Sequence, residues 1–198
     1  MREVELKSVV NDVTAARKLV EVAGGRLVFE GRLHDRRYDR ADRSLVLRDE
    51  VLRLRIYKPD TGVSDAHIDW KGPTEYAAGF KVRDEISTAA TNADALATIL
   101  DRLGYIVIRE IDRDISQYDL DGAVIRFEQY PDMDVLVEVE GVPASIERAI
   151  EATGLARSGF TSERLPEFVA RFEARTGRRA AICDRELAGD YRYAREDA

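Results

Sequence analysis

Charged residues recur at every second position in six short segments, with apolar residues between them. Glu3, Glu5 and Lys7 alternate with Val4 and Leu6, Arg53 and Arg55 with Leu52, Leu54 and Ile56, and Asp69 and Lys71 with Ile68 and Trp70. Lys81, Arg83 and Glu85 alternate with Phe80, Val82 and Ile86, while Arg126 and Glu128 flank Phe127, and Glu138 and Glu140 flank Val139. Successive side chains of a strand point to opposite faces, so each segment reads as a strand with one charged and one apolar side. With Arg113, the charged face gathers eight basic groups (Lys7, Arg53, Arg55, Lys71, Lys81, Arg83, Arg113, Arg126) and six acidic ones (Glu3, Glu5, Glu85, Glu128, Glu138, Glu140). Arginine forks and lysines hold phosphate oxygens, and carboxylates two apart can coordinate a hard cation such as Mg²⁺ or Mn²⁺. Neither sign alone suits a simple anion site. A polyanion that arrives with divalent cations suits both.

The plain alternative is the solvated face of an open sheet whose other face is covered by helices. Two features weigh against it. Solvent faces usually mix Thr, Ser, Gln and Lys, whereas these positions are almost all Arg, Lys or Glu. About eight antiparallel strands can also close or nearly close into a barrel with the charges turned inward. Such an interior must be wet, cross-paired or filled by a ligand, because an unpaired buried charge costs several kcal/mol.

The elements that position these residues follow from periodicity. Strands are expected at 3–9, 26–39, 51–58, 66–71, 79–87, 105–118, 123–130 and 134–140, joined by short polar connections such as Asp60-Thr61-Gly62 and Asp121-Gly122 that favour antiparallel hairpins. Helical spacing predicts helices over about 12–23, from Thr91 and Asn92 to Gly104, from Pro143 to Gly154 and from Ser162 to Gly177. The fold class is therefore α+β with a largely antiparallel sheet. Residues 1–177 read as one domain, and 178–198 as a short helix near 180–187 followed by a polar, mobile tail.

Composition bounds the function. The 198 residues are 44% hydrophobic and 35% charged, with a net charge of -7, enough for one core and unsuited to a nucleic-acid surface. The lone Cys183 excludes an internal disulfide and reads as a small buried residue. No apolar run is long enough to span a membrane, and the alternating charges after Met1 do not form a leader, so a cytoplasmic protein is expected.

Taken in order, the motifs resemble those of the CYTH superfamily, the triphosphate tunnel metalloenzymes, which include class IV adenylyl cyclases and thiamine and inorganic triphosphatases. Glu3-Val4-Glu5-Leu6-Lys7 matches its ExExK motif, Tyr38-Asp39 its aromatic-Asp step, Leu52-Arg53-Leu54-Arg55 its LRxR strand, and Trp70-Lys71-Gly72-Pro73 its KGP motif. Arg83-Asp84-Glu85 matches the RxE strand, Glu128 stands where the family usually has Asp, and Glu138-Val139-Glu140 matches the closing ExE. The resemblance covers roughly residues 1–170. One departure is clear: of two basic residues expected before Tyr118, the first falls on Arg113 and the second on Ile115, with Arg109 as a substitute on the same face.

The resemblance implies a closed antiparallel tunnel, charged inside, with helices packed outside. It also implies a metal-dependent enzyme acting on a triphosphate-containing small molecule, as a monomer or homodimer, with no nucleic acid or membrane partner. Glu3, Glu5, Glu138 and Glu140 would hold Mg²⁺ or Mn²⁺, with Glu128 a fifth ligand and Lys7 beside the metal; Glu3, Glu5 and Lys7 form the catalytic group. Arg53, Arg55, Lys71, Lys81, Arg83, Arg113 and Arg126 would hold the triphosphate. Hydrolysis of a terminal phosphate is the first reading, adenylyl cyclisation the second, and nucleotide or polyphosphate binding without turnover the third. The remaining candidates read blandly: His34 and His67 as surface or hairpin residues, Arg32, Arg36, Arg37, Arg40 and Arg43 as a solvated strand and loop, and Trp70 as core packing under a helix.

Overall fold

The computed structural model describes residues 2–198. Among them run β1 (Arg2–Val9), α1 (Val13–Val22), β2 (Arg26–Arg40), β3 (Val51–Pro59), β4 (Asp65–Lys71), β5 (Glu75–Ala77), β6 (Phe80–Ala89) and α2 (Ala93–Arg102). They are followed by β7 (Tyr105–Leu120), β8 (Ala123–Gln129), β9 (Leu136–Glu140), α3 (Pro143–Thr153), α4 (Leu165–Thr176) and α5 (Asp184–Leu187). The helix ends follow the sequence signals. Asp12 and Asn92 accept from the backbone N–H groups of Ala15 and Ala95 as N-caps, Pro143 and Pro166 stand in first turns, and Gly154 and Gly177 close their helices in the left-handed conformation.

Every strand pairing is antiparallel, and the order β1-β9-β8-β7-β2-β3-β4-β6 returns to β1, closing eight strands into a barrel. β1 is the closing strand: Leu6 stands opposite Val139 of β9, and Val4 opposite Val82 of β6. The ninth strand, β5, was not expected. It is three exposed residues long and pairs only with the start of β6 through Ala78 and Gly79, both at positive φ as a tight hairpin turn requires. The Asp121-Gly122 turn between β7 and β8 uses the same geometry.

Alternation puts the apolar side chains outside the barrel, where the helices cover them. α1 and α3 pack on Leu6, Ile125, Phe127, Val137 and Val139, and α2 covers Leu54 and Ala66. The α4 cluster differs: Leu165, Phe168, Val169 and Phe172 pack with Ile111, Tyr130 and Leu136, and Leu165, Ile111 and Tyr130 of this group line the interior cavity. Each such side chain, fully buried, contributes ~1.5–3 kcal/mol. Trp70 is half-buried and is not among the side chains gathered under α2; its ring lies 3.1 Å from where a Cβ on buried Gly72 would stand, so this glycine leaves room for the indole.

The expected mobile tail is instead packed against the barrel. Ala180 and Ile182 join the α4 cluster, Glu186 receives two hydrogen bonds from Arg109, and Asp197 and Ala198 are buried. Ion pairs over long sequence separations hold it there. Cys183 is buried as expected, and burial pushes its thiol up to about 11, away from reactivity.

Candidate active site

The barrel encloses a cavity of about 1010 Å³. Its lining includes all the sequence-derived candidates: Glu3, Glu5, Lys7, Arg53, Arg55, Lys71, Lys81, Arg83, Glu85, Arg113, Arg126, Glu128, Glu138 and Glu140. It also includes Asp69, which alternation placed beside Lys71, and Asp35, Arg37, Tyr57, His67, Gln117 and Tyr130, which alternation alone did not assign to it.

Strand register explains how so many charges share one interior. Residues directly opposite on neighbouring strands share a face, and most such pairs have opposite sign: Glu3 with Arg83, Glu5 with Lys81, Lys7 with Glu138, Arg126 with Glu138, Lys71 with Glu85, Arg53 with Asp69 and Arg55 with Asp35. Side chains follow the register. Arg53 donates twice to Asp69 at 2.7 and 3.0 Å, Lys71 reaches Glu3 at 2.6 Å, and Lys7 pairs with both Glu138 and Glu5. Glu128 accepts from Arg113 at 2.8 Å and from the Tyr130 hydroxyl at 2.7 Å. The interior is thus cross-paired.

Two positions break the rule. Glu5 of β1 stands opposite Glu140 of β9, and Arg37 of β2 stands opposite Arg53 of β3 and Arg109 of β7. Like charges in register repel. At the acidic pair, burial, with Glu3 and Glu138 nearby, pushes the Glu140 carboxyl up to about 7. Burial alone would also raise Glu5, but Lys7, Lys81 and Lys71 outweigh it and hold that carboxylate well below the usual range.

Glu5 and Glu140 are carboxylates in register that could hold a divalent cation, Glu5 being paired meanwhile with Lys81 and Lys7. Mg²⁺ is commonly held by one or two carboxylates, with substrate phosphates and waters completing its shell. Among the described residues no three acidic, His or Cys side chains are gathered closely enough to enclose an ion by themselves. Of the five carboxylates expected from the motifs, Glu3, Glu5 and Glu138 are each paired with lysine or arginine, and Glu128 with Arg113 and Tyr130.

The arginines meet at Asp35. Its carboxylate accepts from Arg55 at 2.9 and 3.1 Å and from Arg113 at 3.1 Å, with Arg53 at 3.6 Å. Arg83 instead donates to the backbone carbonyls of Gly72 and Asp49, tying the KGP-like loop to the segment that leads into β3. Tyr38-Asp39 is structural as well: fully buried Asp39 accepts from the backbone N–H groups of Arg40, Leu45 and Val46 and folds the 40–46 loop. Asp39→Ala should therefore lower stability by about 2–3 kcal/mol in urea unfolding and leave tripolyphosphate affinity nearly unchanged.

At one mouth Phe29, Tyr57 and His67 pack edge to face, with centroids 5.2 and 5.9 Å apart, and His67 meets Asp65 at 2.8 Å. His67, expected in a surface or hairpin role, thus lines the cavity rim, whereas His34 pairs with Asp112 away from it. Ile115 is buried opposite Glu128 and supplies no charge, and Arg109 does not replace it, being held by Glu186. Arg37, expected in a solvated strand, supplies the added interior cation.

No family model matches the sequence, and no curated protein matches it. Solved structures do. One from Vibrio parahaemolyticus, provisionally assigned as an adenylate cyclase, shares 21% identity with a TM-score of 0.72, covering 85% of this chain and 97% of that one. A Pyrococcus horikoshii protein shares 23% identity with a TM-score of 0.70, over 85% and 98% of the two chains. A Hippeastrum protein, provisionally named an adenylyl cyclase and described with a dominant triphosphatase activity, shares 13% with a TM-score of 0.59, over 87% and 95%. At these identities the likeness establishes architecture alone: the chain shares the closed antiparallel barrel fold of these structures, the architecture that the sequence resemblance implied.

Proposed function

We propose that the tunnel binds a triphosphate together with Mg²⁺ or Mn²⁺ and hydrolyses its terminal phosphate. The observation that carries this reading is the Glu5–Glu140 pair, a like-charged carboxylate pair in a wall of opposite-sign pairs that also presents Arg53, Arg55, Arg113 and Arg126. Phosphoryl transfer depends mainly on positioning and on neutralising oxygens. The four guanidiniums would share their donors between the tunnel's own carboxylates and the phosphate oxygens, while Lys7, Lys71 and Lys81 add charge beside them. Glu5 and Glu140 would hold the cation as the triphosphate draws Lys81 and Lys7 from Glu5, with Glu3 and Glu138 joining as it draws off Lys71, Lys7 and Arg126. A bound divalent ion neutralises phosphate oxygens and lowers the pKa of a coordinated water.

A second reading, cyclisation of ATP with loss of pyrophosphate, is favoured by the aromatic rim of Phe29, Tyr57 and His67, which could hold a base, and by the names of two structures of like fold. One assay separates the readings. The protein is incubated with either metal and, separately, inorganic triphosphate, thiamine triphosphate and ATP, and the products are identified. Orthophosphate is expected. Cyclic AMP with pyrophosphate would establish the cyclase instead, and binding without turnover of any substrate would overturn both.

A further inference from the structure

The second break in the charge pattern points to a residue that the family motifs do not assign. Arg37 lines the cavity midway along β2, opposite Arg53 on one side and Arg109 on the other. It is flanked by guanidiniums in both directions. Its Nη1 donates to the backbone carbonyl of Asp197 at 3.0 Å, whereas its Nε is buried and has no hydrogen-bond partner. The nearest carboxylate on its own strand, Asp35, is already engaged by Arg55 and Arg113. Burial first, then the repulsion of Arg53, Arg83 and Arg113, pulls the Arg37 guanidinium down to about 9. A cation so poorly compensated is costly to the ligand-free protein.

We propose that Arg37 is a specificity-determining residue that receives the far phosphate of the substrate, so that the tunnel selects triphosphates over diphosphates. This rests on the triphosphate reading above and extends it. Asp35 and Arg37 lie two positions apart on one face of β2, so Arg37 stands one step beyond the cluster of Arg53, Arg55 and Arg113 that converges on Asp35. A phosphate chain held by that cluster must extend to reach Arg37. A third phosphate would satisfy the orphaned Nε and relieve the repulsion between Arg37 and Arg53. A diphosphate would leave both unchanged.

Arg37 has a simpler role open to it, that of fastening the C-terminal segment through the Asp197 carbonyl. Arg43 provides the control, because it pairs with the Asp197 side chain and does not line the cavity. The test is calorimetric binding of tripolyphosphate and of pyrophosphate, each with Mg²⁺, to the full chain and to Arg37→Gln, Arg37→Lys and Arg43→Ala. Arg37→Gln should weaken tripolyphosphate binding about tenfold or more, ~1.4 kcal/mol, and change pyrophosphate binding less than about twofold. Arg37→Lys should recover part of the loss, and Arg43→Ala should bind both ligands as the unmodified protein does. Without ligand, Arg37→Gln should melt no lower than the unmodified protein, since it loses an uncompensated charge.

Equal weakening towards both ligands, no weakening, or the same loss in Arg43→Ala would overturn the assignment and leave the triphosphate reading standing. If the unmodified protein binds no tripolyphosphate, the triphosphate reading itself fails and Arg37's role falls with it.

Discussion

Asp35→Asn is expected to remove about 3–5 kcal/mol of stability at pH 7, the cost of leaving buried charges without their partner. One carboxylate here serves three guanidiniums, Arg55, Arg113 and Arg53, and is nearly inaccessible to water. Arginine cannot escape by losing its proton, so the variant leaves the Arg55 guanidinium without its carboxylate, while Arg53 keeps Asp69 and Arg113 keeps Glu128. The pH dependence has a definite sign. Burial alone would raise the Asp35 carboxyl, but Arg55, Arg113 and Arg53 outweigh it and keep it well below the usual range. A depressed carboxylate contributes stability above its unfolded pKa, about 3.9, and that contribution is lost as pH falls towards the folded value. Urea unfolding should therefore show the largest gap between the two proteins at pH 7, narrowing below about pH 4. Tripolyphosphate should restore part of the variant's loss by supplying the missing negative charge. A variant as stable as the unmodified protein would mean that the arginines do not depend on Asp35.

Glu5→Gln should cut metal-dependent turnover at least about 100-fold, because it removes one of the two carboxylates in register where a divalent cation would sit. Its effect on stability should be milder than that of Asp35→Asn, and the difference comes from lysine chemistry. Glu5 is partnered by Lys81 and Lys7. Burial already pulls the Lys81 ammonium down, and with Glu5 neutral it can shed its proton, as no arginine can. The readout is kcat against Mg²⁺ or Mn²⁺ concentration, with near-native circular dichroism as the control. Undiminished turnover in a folded variant would remove Glu5 from the metal site.

The barrel was legible because eight strands carry their own period of two, and charges placed on one face of several strands become neighbours once those strands pair. Where alternation failed as a guide, the reason is local. In β2, charged or polar residues occupy both faces from Arg32 to Arg37, so nothing in the strand itself distinguishes Asp35 and Arg37 from Arg36. Only pairing with Arg55 and Arg53 of β3 sets which side is inside. The C-terminal segment was misread for a related reason. Its polar composition signals mobility, yet the partners that fix it lie far away: Glu186 is 77 positions from Arg109, and Asp197 is 154 from Arg43. No window of sequence contains both ends of such a pair. A motif also counts carboxylates without their partners, whereas lysine and arginine lie near enough to pair with Glu3, Glu5 and Glu138.

Closure through β1 also bears on how the chain is made. β1 is hydrogen-bonded on one edge to β6 and on the other to β9, and Lys7 meets Glu138 across 131 positions. At about 5–20 residues per second the ribosome needs roughly 7 to 26 s to bring that second edge into being. Through that interval β1 has an unpaired edge and Lys7 lacks Glu138, although Lys71 and Lys81, the partners of Glu3 and Glu5, are made before β9. Such non-local pairing favours slow folding, with β1 waiting on β9 before the barrel can close.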